Sequence, residues 1–193
     1  MIISRCVAHG LTRLIEFNPS EENPMFLGVG EGFAGERPNV AHINLLVGPK
    51  SGPIATAYAT AAASPGPGHV PFQAVLKPNL PAKPSTLFIG KANSAGDAHD
   101  LLTWGPAQAG VAAGITKALL DGVLPSEAED EWLAIALVYV DVAANDADAI
   151  YANNKAAIYL AAARAMITGW PSRAELADGV ATVGNPFYTP KNP

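Results

Sequence analysis

Cysteine is nearly missing from this chain. Cys6 is the only one among 193 residues, so no intrachain disulfide forms and no oxidising compartment is needed. Charge is scarce too: charged residues make up 15% and the balance is acidic, with a formal net charge of -5. Without a basic run, the chain has no stripe with which to hold nucleic acid. No apolar run approaches the roughly 20 residues that span a bilayer. The amino terminus lacks a hydrophobic signal core followed by a small-residue cleavage site. A cytoplasmic protein with no membrane partner is the expectation. Repeats, heptads and glycine-rich phosphate loops are absent as well. His9, His42, His69 and His99 lie too far apart in sequence to form a local metal motif, and Cys6 has no partner at ligand spacing, so no metal site is expected.

What is there is apolar. Hydrophobic residues reach 49%, enough for one domain with a substantial core. Residues 1–24 read apart from the rest, because NPSEENP is a polar, proline-bounded linker without a packing pattern. They are expected to be an N-terminal extension, poorly ordered or not native with Met25 as the true start, or else a clip that packs on a neighbouring subunit. Residues 25–193 form the domain.

The segment that organises this domain is NVAHINLLVGP at 39–49. Its β-branched and apolar residues favour an extended backbone. Simple alternation puts His42, Asn44 and Leu46 on one face and Ile43, Leu45 and Val47 on the other. A lone histidine on a strand is commonly structural, satisfying a backbone carbonyl, but two polar side chains projecting together look like a site wall.

Around it, MFLGVGEGFAGE reads as a first strand interrupted by glycines, with Glu31 a solvated edge carboxylate. IATAYATAAAS predicts a helix opened by Pro53 and ended by SPGPG, with His69 in the loop beyond. VPFQAVL predicts one strand over 70–76 and TLFIGK another over 86–91. The prolines of KPNLPAKP make the link between them a rigid crossing that holds Gln73 and Lys91 in place. A short helix near Ser94 or Asp97 is expected, followed by a longer one starting at Pro106. Val111, Ile115 and Leu119 make the longer helix's buried stripe, and Gln108 lies in its first turn beside free backbone amides. WLAIALVYV reads as a central or doubly covered strand. A final helix from about Asn145 has Tyr151, Ile158, Ala162 and Ala165 along one face and is stopped by Gly169 and Pro171. A polar, proline-rich tail follows. This order gives an α/β sandwich, a mixed sheet packed with helices in a single domain.

Three motifs in succession, VAHINLLVGP, AVLKPNLPAKPSTLFIGK (74–91) and WGPAQAGVA (104–112), resemble the formaldehyde-activating enzymes of tetrahydromethanopterin-dependent one-carbon metabolism. The resemblance runs from about Val29 to Phe187. Gly30, Glu31 and Gly35 correspond to a GEALVGDG-like segment, and NPF at 185–187 to a C-terminal HPF. It implies condensation of formaldehyde with tetrahydromethanopterin as co-substrate to give methylene-tetrahydromethanopterin and water. This is carbon-nitrogen lyase chemistry of use in formaldehyde detoxification. It also implies a homopentamer with sites between subunits. His42 falls on the family's proton donor. Of the pterin-contacting positions, Lys91 and Gln108 are retained, whereas Asn44 replaces an aspartate, Gln73 a leucine and Asn93 a threonine.

The chemistry needs an acid. An amine adds to formaldehyde to give a carbinolamine, and hydroxide leaves that adduct poorly unless protonated. A histidine titrating near about 6.5 suits the task. Because a carboxylate near an imidazole favours its charged form and an amide does not, Asn44 is expected to leave His42 a weaker donor. Two readings follow from these residues: an enzyme of reduced activity, or a non-catalytic paralogue that binds a pterin or formaldehyde adduct for sensing or regulation.

Overall fold

Alternation of buried and half-exposed positions runs along Ala41–Pro49, and the structure is built outward from that strand. The computed structural model describes residues 25–168, 170–185 and 187–191. The expectations for residues 1–24, including Cys6 and His9, and for Gly169 as a helix stop lie outside the described residues.

Five strands form the main sheet: β1 (Gly28–Ala34), β2 (Ala41–Pro49), β3 (Phe72–Gln73), β6 (Ser85–Gly90) and β7 (Trp132–Val140), in the order β1-β2-β7-β6-β3. Only the β6 and β7 pair is parallel. That pairing demands a long crossover, supplied by α2 (Asp97–Leu102), a π-helical turn (Thr103–Ala107), α3 (Gln108–Leu120) and α4 (Ala128–Glu131). WLAIALVYV is therefore the central strand. A helix, α1 (Pro53–Ala63), follows β2, and α5 (Ala147–Ala165) follows β7. The result is the expected mixed sheet packed with helices.

The two faces of the sheet differ. Ile43, Leu45 and Val47 of β2, Ala134, Ala136 and Val138 of β7, and Phe88 of β6 are buried with the apolar faces of α3 and α5. The opposite face carries a smaller cluster in which Ile54 of α1 meets Leu87 and Ile135. Since α1 shelters only that part, the β1 side of this second face stays open. Val29 there is 60% exposed. Alanines and glycines on the buried side let α5 lie directly against β1. A Cβ at Gly30 or Gly32 would fall 1.9 Å from the carbonyl oxygens of Ala161 and Ala157.

Four local expectations change. First, residues 70–76 are not one strand. The chain leaves the main sheet at Ala74, whose N–H donates to Thr86 O while its carbonyl accepts from Ala82 N. From there β4 (Val75–Lys77) pairs with β5 (Leu80–Pro81). KPNLPAKP is thus a small hairpin, with Asn79 in the left-handed region at φ 65°, a conformation asparagine tolerates. Second, Pro106 does not open a helix. It lies within the π-helical turn, whose wider hydrogen-bond spacing accommodates a residue without an N–H. Third, Tyr151 faces outward at 36% exposure, while Ile150, Asn154, Ala157, Ile158, Ala161 and Ala162 form α5's buried face. Fourth, the tail contains a further helix, α6 (Arg173–Ala181), begun by a capping box of Ser172 and Glu175.

Candidate active site

Cross-strand register explains why four polar side chains meet on the open face. Glu31 pairs with Asn44, Phe33 with His42, and His42 with Tyr139. Paired residues project to the same side. Lys91 follows β6 directly, and its backbone N–H donates to Val138 O, extending the ladder by one step.

His42 Nε2 lies 2.8 Å from Glu31 Oε1. On its other side Nδ1 lies 3.5 Å from Lys91 Nζ. Lys91 Nζ donates to Asn44 Oδ1 at 2.6 Å. The imidazole stacks on Phe33, with centroids 4.0 Å apart and planes within 9°. Phe187 stands 6.1 Å from both rings and meets Tyr139 edge-on. The histidine side chain retains 19% exposure and Glu31 47%. The cluster is aromatic-walled and reachable from solvent.

Burial pushes the His42 pKa below the ordinary imidazole value. The Glu31 hydrogen bond opposes this and the Lys91 charge reinforces it. Burial also lowers Lys91, to about 8, against the pull of Glu31. With Nε2–H committed to Glu31, a neutral His42 presents Nδ1 as an acceptor, and a protonated one presents it as a donor. The ring is thereby oriented so that the atom facing Lys91 is the one that exchanges a proton. The carboxylate beside His42 is Glu31. Position 44 instead contacts Lys91.

The other expected positions lie elsewhere. Gln73 Oε1 accepts from Tyr58 Oη at 2.6 Å and from Ser85 Oγ at 3.1 Å, tying α1 to the far edge of the sheet. Gln108 is buried, and its Nε2 donates to Val75 O at 2.6 Å. Its backbone N–H is already bonded to Gly105 O and Thr103 O, so no free helix-terminal amide accompanies it. Asn93 is exposed and lies against Gly68, where a Cβ would fall 2.2 Å from Asn93 Oδ1. The neighbours of Asn93, Ala92 and Ser94, help line a cleft of about 250 Å³ together with Phe72, Phe88 and Trp104. Within one chain, then, His42, Asn44 and Lys91 form one group, Gln73 and Gln108 are held by other partners, and Asn93 is exposed beside Gly68.

His69 and His99 have structural roles. The ring of His69 bonds Gly90 O through Nδ1. The buried His99 donates from Nε2 to Val140 O and accepts at Nδ1 from Ala95 N. Among the described residues no group of three or more His, Cys, Asp or Glu side chains is placed to hold a metal ion, and no helix is long and apolar enough to cross a membrane. Sequence reasoning took Glu31 for a solvated carboxylate and did not place Phe187 at the site. The signals available were the family-like segments VGEG and NPF.

Comparison with known proteins adds independent support. The family model described as formaldehyde-activating enzyme (Fae) matches residues 29–188. The 5,6,7,8-tetrahydromethanopterin hydro-lyase of Methanosarcina barkeri (strain Fusaro / DSM 804) is 40% identical over 159 residues, covering 82% of this chain and 89% of that protein. A bifunctional enzyme Fae/Hps of Methanothrix thermoacetophila is 43% identical over 147 residues, 76% of this chain and 37% of the relative. One from Archaeoglobus fulgidus is 40% identical over 139 residues, 72% of this chain and 35% of the relative. The chain thus spans little more than a third of these bifunctional proteins and most of the hydro-lyase. A match of this extent, over a sheet that presents histidine, lysine and carboxylate together, places the chain in the formaldehyde-activating enzyme family.

Proposed function

We propose that this protein condenses formaldehyde with tetrahydromethanopterin, giving methylene-tetrahydromethanopterin and water. The observation that carries the reading is the His42 imidazole held between Glu31 and Lys91 on the open sheet face, in a chain of this family. A pterin amine adds to formaldehyde and forms a carbinolamine. His42, protonated at Nδ1, gives its proton to the hydroxyl, which departs as water, and a second pterin nitrogen closes the bridge. Glu31 fixes the ring's orientation and raises the population of imidazolium that burial lowers. Lys91 and Asn44 border the reacting atoms with a cation and an amide.

Gln73, Asn93 and Gln108 are assigned to pterin binding by correspondence with the family's positions. That Gln73 and Gln108 bond partners other than the His42 group supports a site completed by a second copy, in keeping with a homopentamer. A cytoplasmic setting fits the substrates, and residues 1–24 are read as an extension outside the catalytic domain.

The test is direct. Purified protein mixed with tetrahydromethanopterin and formaldehyde is expected to form the methylene product well above the uncatalysed rate. His42→Ala is expected to lose about 10²–10⁴-fold of that rate while still binding pterin. Pterin binding with no acceleration in the unaltered protein would overturn the reading.

A further inference from the structure

The geometry points to Lys91 as a covalent carrier of formaldehyde: its Nζ adds to the carbonyl carbon and, with His42 returning the proton, forms a methylene iminium that is passed to the acceptor amine. This rests on the reading that formaldehyde is a substrate and deepens it: the pterin amine meets a methylene iminium on the neutral form of Lys91 in place of free formaldehyde.

The case begins with what surrounds Nζ. An amine adds to an aldehyde only when unprotonated, so the partners that hold a lysine charged decide whether it reacts. Lys83 is ion-paired with Asp130 and Lys117 with Asp121. Among the described residues Lys91 has no such pair. Its short contact is the neutral Oδ1 of Asn44, where the family pattern has an aspartate. Glu31, the nearby acid, is already hydrogen-bonded to His42 Nε2. The groups acting on Nζ are then His42 and Asn44 from β2 and the Glu31 charge from β1. Of these, only Glu31 is an anion at neutral pH. Half-burial against the sheet disfavours the ammonium further and brings Nζ to about 8. At pH 7 roughly one Lys91 in ten is then a free amine, against about one in 3,000 for a lysine at 10.5.

The second requirement is a proton carrier within reach, and His42 Nδ1 at 3.5 Å meets it. The step balances without oxidant or reductant. The Nζ lone pair forms a C–N bond, a proton passes from Nζ through His42 Nδ1 to the former carbonyl oxygen, and a carbinolamine results. Protonated His42 gives a proton to that hydroxyl, the C–O bond breaks, and water leaves the iminium. The acceptor amine then adds to the methylene carbon and loses a proton to His42. His42 passes that proton to Nζ, the C–Nζ bond breaks with its electron pair leaving on the lysine nitrogen, and the lone pair of the acceptor nitrogen holds the one-carbon unit as an iminium that the second acceptor nitrogen closes.

Reductive trapping tests this without any pterin. The full-length protein is incubated at pH 7 with limiting formaldehyde and sodium cyanoborohydride, and methylation is mapped by peptide mass spectrometry. Lys91 is expected to methylate on the order of tenfold faster than Lys83 and Lys117, its free-amine advantage being partly offset by lower basicity. Asn44→Asp restores a carboxylate to Nζ and is expected to slow Lys91 about tenfold with the other lysines unchanged. Folding of the variant is checked by circular dichroism, and Lys91→Arg confirms the peptide assignment. Labelling of Lys91 no faster than Lys83, or labelling indifferent to Asn44→Asp in a folded variant, would overturn the inference. Turnover with pterin is measured separately. Turnover without Lys91 labelling removes the carrier step and leaves the proposed function standing. Labelling without turnover removes that function and leaves the lysine chemistry.

Discussion

Glu31 is the residue on which the acid's strength depends. It accepts from His42 Nε2 and its charge raises the imidazole pKa against burial. Glu31→Gln keeps a hydrogen-bonding shape and removes the charge, so the His42 pKa falls further. Because the donor must be protonated, activity is lost as pH rises through that pKa, and the variant's loss begins at lower pH. We expect the fall in kcat/KM to move to lower pH, making the variant slower at neutral pH and nearly normal in acid. A uniform loss at every pH would show a merely structural role. Lys91 gives a second test, on stability. Its pKa is lowered on folding to about 8, so the unfolded chain binds more protons and stability rises with pH between about 8 and 10.5. Lys91→Met removes the cost of holding this ammonium half-buried. Solvent screening at a partly exposed site leaves roughly 1 kcal/mol, a gain of about 2–4 °C in Tm at pH 7 that fades above pH 10. Thermal melts at pH 7 and 10.5 measure it. Both residues show what the sequence could carry. The face of His42 was legible in strand alternation and Lys91 in its motif. Glu31 was not legible as a partner, because the register Glu31↔Asn44 depends on how the turn between β1 and β2 closes. Phe187 was hidden for a plainer reason: its place beside His42 is set by the fold of a tail far away in sequence.

At the scale of elements, the contact between β1 and α5 is set by atoms that are missing. Gly30 and Gly32 face α5, and a Cβ at either would overlap a helix carbonyl oxygen. Gly32→Ala must therefore push the helix off the strand, against a close-packed core that resists even one added methyl. We expect a loss of about 3 kcal/mol or more, read as a lower urea midpoint, together with reduced activity because β1 carries Glu31 and Phe33. Gly179 in α6 is the control. Nothing lies within 4 Å of a Cβ there, and Gly179→Ala is expected to leave stability unchanged or raise it by up to about 1 kcal/mol. Elements with strong internal signals were legible for the same local reasons: β2 and β7 by their apolar runs, α1 by its alanines and first-turn proline, and α3 by Val111 and Ile115. The misreadings occur where partners override local preference. Val75 and Leu76 favour extension wherever they lie, but Ala74 turns its carbonyl to Ala82 and moves them into another sheet. Pro106 looked like a helix start because its missing N–H is harmless there, and the π-helical turn makes it harmless inside a longer run as well.

At the scale of the whole molecule, the sheet is finished on one side and unfinished on the other. α3 and α5 bury the first face. On the second, α1 covers Leu87 and Ile135, whereas Val29 and Phe187 remain 60% and 40% exposed beside the His42 cluster. Apolar side chains gathered around a polar site are what a subunit interface with a shared site presents before assembly. On the proposed function, Gln73 and Asn93 are expected to face a neighbouring copy, whereas Gln108 is buried within its own chain. We expect a native mass about five times that of the chain at micromolar concentration, measured by light scattering. Val29→Glu places a carboxylate on the open face without touching the contacts of His42. If the interface lies there, the variant becomes a smaller species because a buried unpaired charge is costly at an apolar contact. Its turnover is expected to fall with assembly while the fold persists by circular dichroism. Measuring turnover and mass across a dilution series separates the two possibilities, since a shared site loses rate where the oligomer dissociates. A Val29→Glu protein that is monomeric and fully active would show that one chain is catalytically complete, and would return Gln73, Asn93 and Gln108 to structural roles.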